Sequence, residues 1–343
     1  MSTLLLLYAI LSICTVDLAL GGICPPNPRD IYPCTCDGVT IRCIAIKNFD
    51  LELVMETLAR ITSPGVNPFV NFELEASTVE MLDDSVFHGV TFQYLKFNGN
   101  SLLTCVNPKA FEGMSETIVS FESALTSFSN YTSRICDIFG ALSSMHLINK
   151  ISIIGSGIQK IPDNAFNGIL KQIYLNTIDF SGQDQGGNIT SIGKHAFSKV
   201  PNLLNLNLAT HKINEIWSNA FQFEDWNENP LTINLRRNPM TNTTFKGAMD
   251  TNGRITTLDL SGIPTLKQLP ESIFDAFLED RGWPSNKIIL TGTPCTVTEG
   301  NKWILQNKAK EHLPDKLIDF ICIDGERIFE HSLSEFDKPD TFY

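Results

Sequence analysis

The chain has 343 residues, of which 43% are apolar, and a formal net charge of −12. This apolar content is enough for a large buried core and excludes a disordered chain. The acidic balance argues against a non-specific nucleic-acid binder and against a peripheral binder of anionic membranes, because both need clustered Lys and Arg. Length alone predicts two or three globular domains. No apolar run after residue 21 is long enough to span a bilayer, and residues 337–340 are too polar for a lipid-anchor signal, so we expect no membrane anchor.

The N-terminus has the features of an export signal. An unbroken apolar stretch runs from Leu4 to Cys14, and Ala19 and Gly21 fit the two small-residue positions of a cleavage site. We predict a signal peptide over residues 1–21 and a secreted, extracellular protein; a buried strand or short anchor is the alternative. Cleavage removes one of the nine Cys and leaves an even number, as is typical of disulfide-bonded proteins. Three N-glycosylation sequons fit the same compartment, at Asn130, Asn188 and Asn242.

A repeat organises the rest of the chain. The dipeptide Ala-Phe, or a close variant, recurs and places a Phe at positions 87, 111, 166, 197, 221, 245 and 274, with three of the spacings equal to 24 residues. Upstream of Phe221, Leu206-x-Leu208 is followed by His211 at a position where leucine-rich repeats usually have Asn. The pattern resembles leucine-rich repeats in about eight irregular units over residues 51–293. Because several units have Ser or His at the Asn position, we expect an imperfect hydrogen-bond ladder there.

This resemblance implies a fold and replaces the expectation of several domains. The fold is an α/β leucine-rich-repeat solenoid of horseshoe shape, with a parallel β-sheet on the concave face and irregular or short helical segments on the convex side. One unit is placed at Ile173-x-Leu175 and is stretched by the polar segment 179–188. A solenoid exposes its core at both ends, so caps are expected at residues 22–50 and 294–343.

Cysteines mark both caps. Cys24, Cys34, Cys36 and Cys43 cluster near the N-terminus, where zinc binding is the alternative to disulfides. The resemblance to N-terminal caps of extracellular leucine-rich proteins implies the pairs Cys24–Cys36 and Cys34–Cys43. The C-terminal segment resembles a cap of the same family with fewer cysteines, so only the pair Cys295–Cys322 can form there. Residues 300–313 predict a helix that ends at Pro314. The last two, Cys105 and Cys136, fall in neighbouring units; eight Cys allow 105 pairings, so this assignment depends on the family.

The sequence has none of the common catalytic motifs. It lacks a nucleophile elbow, a phosphate loop and a His-Glu-x-x-His helix, and Gly155-Ser156-Gly157 is an incomplete dinucleotide motif inside a repeat. The acidic residues near Glu73 and Asp83 predict a solvated face, with calcium binding as the alternative. We therefore expect no catalytic residue, no cofactor and no metal.

The remaining candidate surface is the concave face of the sheet. Alternation along each strand assigns outward positions to Glu73, Glu75, Lys96, Asn98, Ser120, Glu122, Ser152, Tyr174, Asn176, Asn207, Asn234, Arg236 and Asp259. The early strands are expected to be acidic, with Arg236 and Arg237 adding late positive charge, a gradient that would orient a partner. The alternative is a solvated face with no partner. The sequons lie outside these strand positions, which would leave the face open.

The opening Cys24-Pro25-Pro26, followed by Pro33-Cys34-Thr35-Cys36, resembles secreted arthropod relatives of the non-catalytic subunit of Oplophorus-luciferin monooxygenase. This resemblance implies a non-enzymatic protein. The first hypothesis is a secreted binding protein that recognises a protein or glycan through its concave face. The second is a stabilising subunit that forms a hetero-oligomer with a secreted enzyme, and the third is an enzyme in its own right.

Overall fold

A computed structural model describes residues 24–44, 50–61, 69–129, 135–168, 171–183, 186–279, 285–308 and 312–337. The predicted signal peptide and Asn130 lie outside these residues. The strands are β1 Thr35–Asp37, β2 Thr40–Ile44, β3 Asn71–Glu75, β4 Met81–Leu82, β5 Tyr94–Asn98, β6 Cys105–Val106, β7 Ser120–Ala124, β8 Lys150–Ile154, β9 Lys160–Ile161, β10 Thr177–Asp179, β11 Ser191–Ile192, β12 Asn205–Asn207, β13 Glu215–Ile216, β14 Leu231–Asn234, β15 Thr256–Asp259, β16 Lys287–Ile289 and β17 Leu317–Ile318. The helices are α1 Leu51–Ile61, α2 Ile138–Ser143, α3 Glu271–Leu278, α4 Glu299–Gln306 and α5 Leu313–Lys316.

One large sheet runs through the described chain. Its order is β1-β2-β3-β5-β7-β8-β10-β12-β14-β15-β16-β17, and every pair is parallel except the β1–β2 hairpin at the N-terminal end. Nine of these strands lie between residues 51 and 293, one more than the eight units expected, because β16 also belongs to the series. The strands bury one face and expose the other, so each unit completes its core against its neighbours and the sheet is continuous.

The opposite side of the solenoid carries two small parallel sheets. Strands β4 and β6 form one, and β9, β11 and β13 form the other. Each of these strands has two residues, and most are followed by a tight turn that contains the Ala-Phe dipeptide. The convex side is therefore made mainly of short strands and turns, with the helix α2 in one unit and the helix α3 in another.

Phenylalanine rings stack along the interior between the two sides. The centre of the Phe197 ring lies 5.9 Å from that of Phe166 and 6.0 Å from that of Phe221. The planes of the Phe197 and Phe221 rings are nearly parallel, with an interplanar angle of 4°. The 55-residue gap between Phe111 and Phe166 is filled by Phe139 of α2, whose ring lies 5.9 Å from that of Phe166. This gap therefore contains two units, and the second places its Phe on a helix instead of in an Ala-Phe turn.

A ladder of buried polar side chains joins successive units just after their strands. Each member donates to a backbone carbonyl of the preceding unit: Asn100 to Leu74, Thr126 to Phe97, His211 to Phe180, Asn238 to Leu208 and Thr293 to Leu260. Thr and His thus replace Asn without losing this bond. At Ser156 the hydroxyl instead accepts from the backbone N–H of Ile158, which interrupts the series as the sequence predicted.

His211 is a neutral member of this ladder. Its Nε2 donates to the Phe180 carbonyl, and its Nδ1 accepts the backbone N–H of Ile189 at 3.4 Å, so the ring uses one donor and one acceptor. Burial lowers the pKa of His211, and the hydrogen bond to Phe180 offsets this only in part. Protonation would place a second N–H against that of Ile189, which explains the preference for the neutral ring.

Four disulfides are formed, and they are the pairs that the family resemblance implied: Cys24–Cys36, Cys34–Cys43, Cys105–Cys136 and Cys295–Cys322.

The expectation of one C-terminal helix over residues 300–313 was wrong: α4 ends at Gln306, and Pro314 lies in the first turn of α5, where a proline needs no N–H partner. Residues 51–61 form a helix instead of a repeat strand. None of the described helices is long and apolar enough to cross a membrane.

Candidate functional site: the concave sheet face

The exposed face of the large sheet is the candidate site, and we call it the concave face. Because the strands pair in register, their central outward residues form a single row. From β2 to β15 this row reads Arg42, Glu73, Lys96, Glu122, Ser152, Asp179, Asn207, Asn234 and Asp259. The row changes character near its middle, from alternating charge to amides and carboxylates.

The first half of the concave face is charge-balanced. Glu73 accepts from the Arg42 guanidinium at 2.5 Å, and this hydrogen bond raises the pKa of Arg42. The Lys150 ammonium lies 2.7 Å from the Glu122 carboxylate, and Lys96 lies 3.7 Å from Glu75. The expectation of an acidic early face was therefore wrong, because cations one unit away, about 20 to 30 residues along the chain, neutralise these carboxylates.

In the second half, Asp and Asn side chains fold back onto the end of their own strands. Asp179, Asn207 and Asn234 each accept, through Oδ1, the backbone N–H of the residue two positions later, at 3.0–3.3 Å. Asp259 accepts from both the N–H and the hydroxyl of Ser261. This Asx turn restricts the side chain and leaves its second polar atom toward the partly exposed face.

The late positive charge is smaller than the sequence suggested. The Arg236 guanidinium lies 3.8 Å from the Asp259 carboxylate on the neighbouring strand. Arg237 lies beyond the strand in a turn, with a φ of 54°. Arg236 lies in the same turn, but its ion pair with Asp259 places its charge at the edge of the concave face and balances it there.

Three of the predicted site residues do not occupy strand positions: Arg236 follows the end of β14 at Asn234, and Tyr174 and Asn176 precede β10. Strand β10 begins at Thr177, because Ile178 and Phe180 supply the inward pair; Tyr174 and Asn176 lie in the loop before it. The prediction of a strand at Ile173-x-Leu175 was wrong: this pair and Ile178-x-Phe180 both fit the alternating pattern of a strand, and the strand forms at the second. Thr177 and Asp179 take the outward positions that had been assigned to Tyr174 and Asn176.

Two further predicted residues are nearly inaccessible. Ser120 and Ser152 are on the concave face but only 6% and 8% exposed. Alternation along the strands also indicates outward positions for Asn205 and Thr232, which the sequence analysis left out; both are exposed beside Asn207 and Asn234. Asn205 and Thr232 both precede the apolar pair of their strand, whereas the predicted outward positions lay between or after the apolar residues.

The loops that enter β10, β12 and β14 lie side by side, and we call them (residues 171–176, 199–204 and 224–230) the entry rim; the first and the third carry an exposed aromatic residue. Tyr174 is 52% exposed and Trp226 is 64% exposed. The loops are joined by Asn202, whose amide donates to the Ile173 carbonyl at 2.6 Å, and by Asn227, whose amide donates to the Asn202 side chain. The entry rim is therefore a continuous edge along the amino ends of these strands.

A buried arginine supports the entry rim from below. The guanidinium of Arg254 donates to the carbonyls of Asn229 and Pro201 at 2.7 and 3.2 Å and lies over the ring of Phe223. Burial lowers the pKa of Arg254 to about 10. A cation that bonds two of the loops at once holds them in a fixed relation.

The two described sequons lie away from the entry rim. Asn188 and Asn242 are both exposed and follow the strands of their units. Their amides donate to the Ser156 carbonyl and to Gln268. Within the described residues, no three His, Cys, Asp or Glu side chains form a group that could hold a metal ion.

Comparison with known proteins agrees with this architecture. The family model of the BspA-type leucine-rich repeat region matches in six copies, over residues 66–158 and 138–276, which is more than half of the chain. A similar solved structure is the crystal structure of human 5T4 (Wnt-activated inhibitory factor 1, trophoblast glycoprotein), with a TM-score of 0.52 and 12% identity over 90% of this chain and 98% of that chain. At this identity the likeness shows the fold alone. No curated protein matches the sequence.

Proposed function

Since the chain belongs to the BspA-type leucine-rich repeat family, we propose that it is a secreted, non-enzymatic protein that binds a partner through its concave face. The observation that carries the proposal is the polar row from Arg42 to Asp259, accessible except at Ser152 and held on a continuous sheet. A rigid sheet presents side chains in fixed positions, so binding needs little ordering of the surface. Exposed residues can then be exchanged without altering the scaffold.

Two features support an extracellular setting. Four disulfides are characteristic of an oxidising compartment; three of them lie in the terminal segments, where the core would otherwise be exposed, and Cys105–Cys136 lies within the repeats. The predicted signal peptide and the exposed Asn188 and Asn242 fit the same setting. The structural neighbour 5T4 is itself described as a glycoprotein.

The test is affinity capture with paired variants. Thr232 on the concave face and Asn214 before the convex strand β13 are both exposed, so arginine at either position adds the same size and charge. The tagged wild-type protein and both variants are incubated with extracellular fluid of the native source. We expect a partner that the wild type and Asn214→Arg retain and that Thr232→Arg loses.

The outcomes separate the candidate roles. Retention of the partner by Thr232→Arg and its loss by Asn214→Arg would contradict binding through the concave face. Recovery of a fixed heterodimer with an enzyme would favour the stabilising-subunit role. Turnover by the purified protein that Thr232→Arg abolished would overturn the non-enzymatic proposal.

A further inference from the structure

The second half of the concave face has a composition unlike the first. Its outward residues on β10, β12, β14 and β15 carry amides, hydroxyls and carboxylates, and we call the following set the amide patch: Asp179, Asn205, Asn207, Thr232, Asn234 and Asp259. Arg236 balances Asp259, which leaves Asp179 as the uncompensated charge in this set. The amide patch is thus nearly neutral and rich in both donors and acceptors.

The donors of the amide patch are held in place before any ligand arrives. Oδ1 of Asn207 and of Asn234 is bonded to the backbone N–H two residues later, which restrains each amide and fixes which end carries the donor. These residues occupy the same position on neighbouring strands, whose backbones lie about 4.8 Å apart in a sheet, so the two side chains are neighbours. A restrained donor pair loses little entropy on binding.

Aromatic surface borders the amide patch on its entry side. Tyr174 precedes β10 and Trp226 precedes β14, and the hydrogen bonds through Asn202 and Asn227 join their loops across the unit between them. The buried Arg254 bonds the loop before β12, at Pro201, to the loop before β14, at Asn229. Polar groups beside exposed rings suit a ligand that has hydroxyl groups and an apolar face at once.

We propose that the amide patch and the entry rim bind an uncharged glycan. A sugar hydroxyl both donates and accepts, so it can accept from the Asn207 or Asn234 amide while donating to the Asp179 carboxylate. The C–H face of a sugar ring packs on Tyr174 or Trp226. This inference rests on the proposed function and names the ligand class for the same face.

One observation favours a glycan over a protein here, and a second favours a neutral glycan over an acidic one. The centre of a protein interface is depleted of charge and polar groups and enriched in aromatic residues, whereas the amide patch has its polar residues in the centre and its aromatic residues at the edge. An acidic glycan is disfavoured, because Arg236 is already occupied by Asp259 and Asp179 would repel an anion.

The experiment applies the protein to an array of immobilised neutral, sialylated and sulfated oligosaccharides, after an endoglycosidase has removed any sugars of its own. The double variant Asn207→Asp, Asn234→Asp keeps the oxygen of each Asx turn but loses both donors. The control Asn214→Asp makes the same change at an exposed position before the convex strand β13, away from the concave face. A third variant, Trp226→Ala, tests the entry rim, and thermal unfolding monitors the fold of each protein.

We expect binding to neutral glycans that the double variant weakens by at least about tenfold, that Trp226→Ala also weakens and that Asn214→Asp preserves. The inference is overturned if no neutral glycan binds, if only sialylated or sulfated glycans bind, or if the folded double variant binds as the wild type does. If those results accompany a protein partner that Thr232→Arg loses, binding through the concave face stands and the glycan inference alone fails.

Discussion

Replacing Asn238 by Ala tests how strongly the polar ladder stabilises the solenoid. The Asn238 side chain is 2% exposed; its amide donates to the carbonyls of Leu208 and Leu235 at 2.9 and 2.8 Å, and its oxygen accepts from the N–H of Ile213 at 3.1 Å. Alanine removes all three bonds. An unsatisfied buried polar group costs about 1–3 kcal/mol, and three such groups lose a partner here. Because each of the two carbonyls keeps a second lone pair that can accept, we expect less than the sum of three full penalties, a loss of about 3 kcal/mol.

The assay is urea unfolding of the oxidised protein, followed by circular dichroism and by tryptophan fluorescence. Coincident transitions from the two probes justify a two-state free energy of unfolding. The control Asn98→Ala removes an amide from a less buried position on β5, where a change within about 0.5 kcal/mol is expected. A loss below about 1 kcal/mol for Asn238→Ala, with an unchanged m-value, would refute the assignment of these three bonds as buried and necessary.

Three further predictions concern pH, packing and a disulfide. The pKa of His211 is lower in the folded chain than the ordinary value of about 6.5, so the unfolded chain binds the proton more readily. The contribution of His211 to the free energy of unfolding should therefore be complete above a pH of about 6.5. It should be lost as the pH falls through the folded pKa. Stability measured against pH should lose this component in His211→Asn, and an unchanged profile would contradict a buried neutral ring. Phe197→Ala should cost about 3–5 kcal/mol in urea unfolding, whereas Tyr94→Ala, on a ring that is 44% exposed, should cost less than about 1 kcal/mol; similar losses would argue against the stacked interior. The Cys105→Ala, Cys136→Ala variant should lose about 2–4 kcal/mol, and mass mapping of the wild type should recover that pair; a free thiol at either position would refute it.

Much of the fold was predictable because one repeated pattern carried it. The Phe period placed Phe197 and Phe221 in the interior, and alternation of apolar residues placed Leu206 inward with Asn207 outward. These are local consequences of strand geometry and of a core that each unit shares with its neighbours, so they follow from spacing. Substitution of the ladder Asn by His211 was also visible, because its offset from Leu208 is the same as in other units.

The character of the candidate site was less predictable. Glu122 looks like part of an acidic face in the sequence, but Lys150, 28 residues later, neutralises it. Charge on a solenoid face is a property of neighbouring strands, and strand neighbours are distant in the chain. The entry rim was missed for the same reason, since Tyr174 and Trp226 belong to one edge only after their loops are joined through Asn202.

By itself, the sequence determined the repeat and the inward residues of most strands, because each depends on spacing along one unit. The tertiary structure decided the register of β10, where Ile173-x-Leu175 and Ile178-x-Phe180 both fit a strand pattern. Pairing with β8 and β12 selects the second, since only one register places the inward residues in line with those of both neighbours. The helix that supplies Phe139 and the balance of charge on the concave face were decided in the same way, by contacts between units.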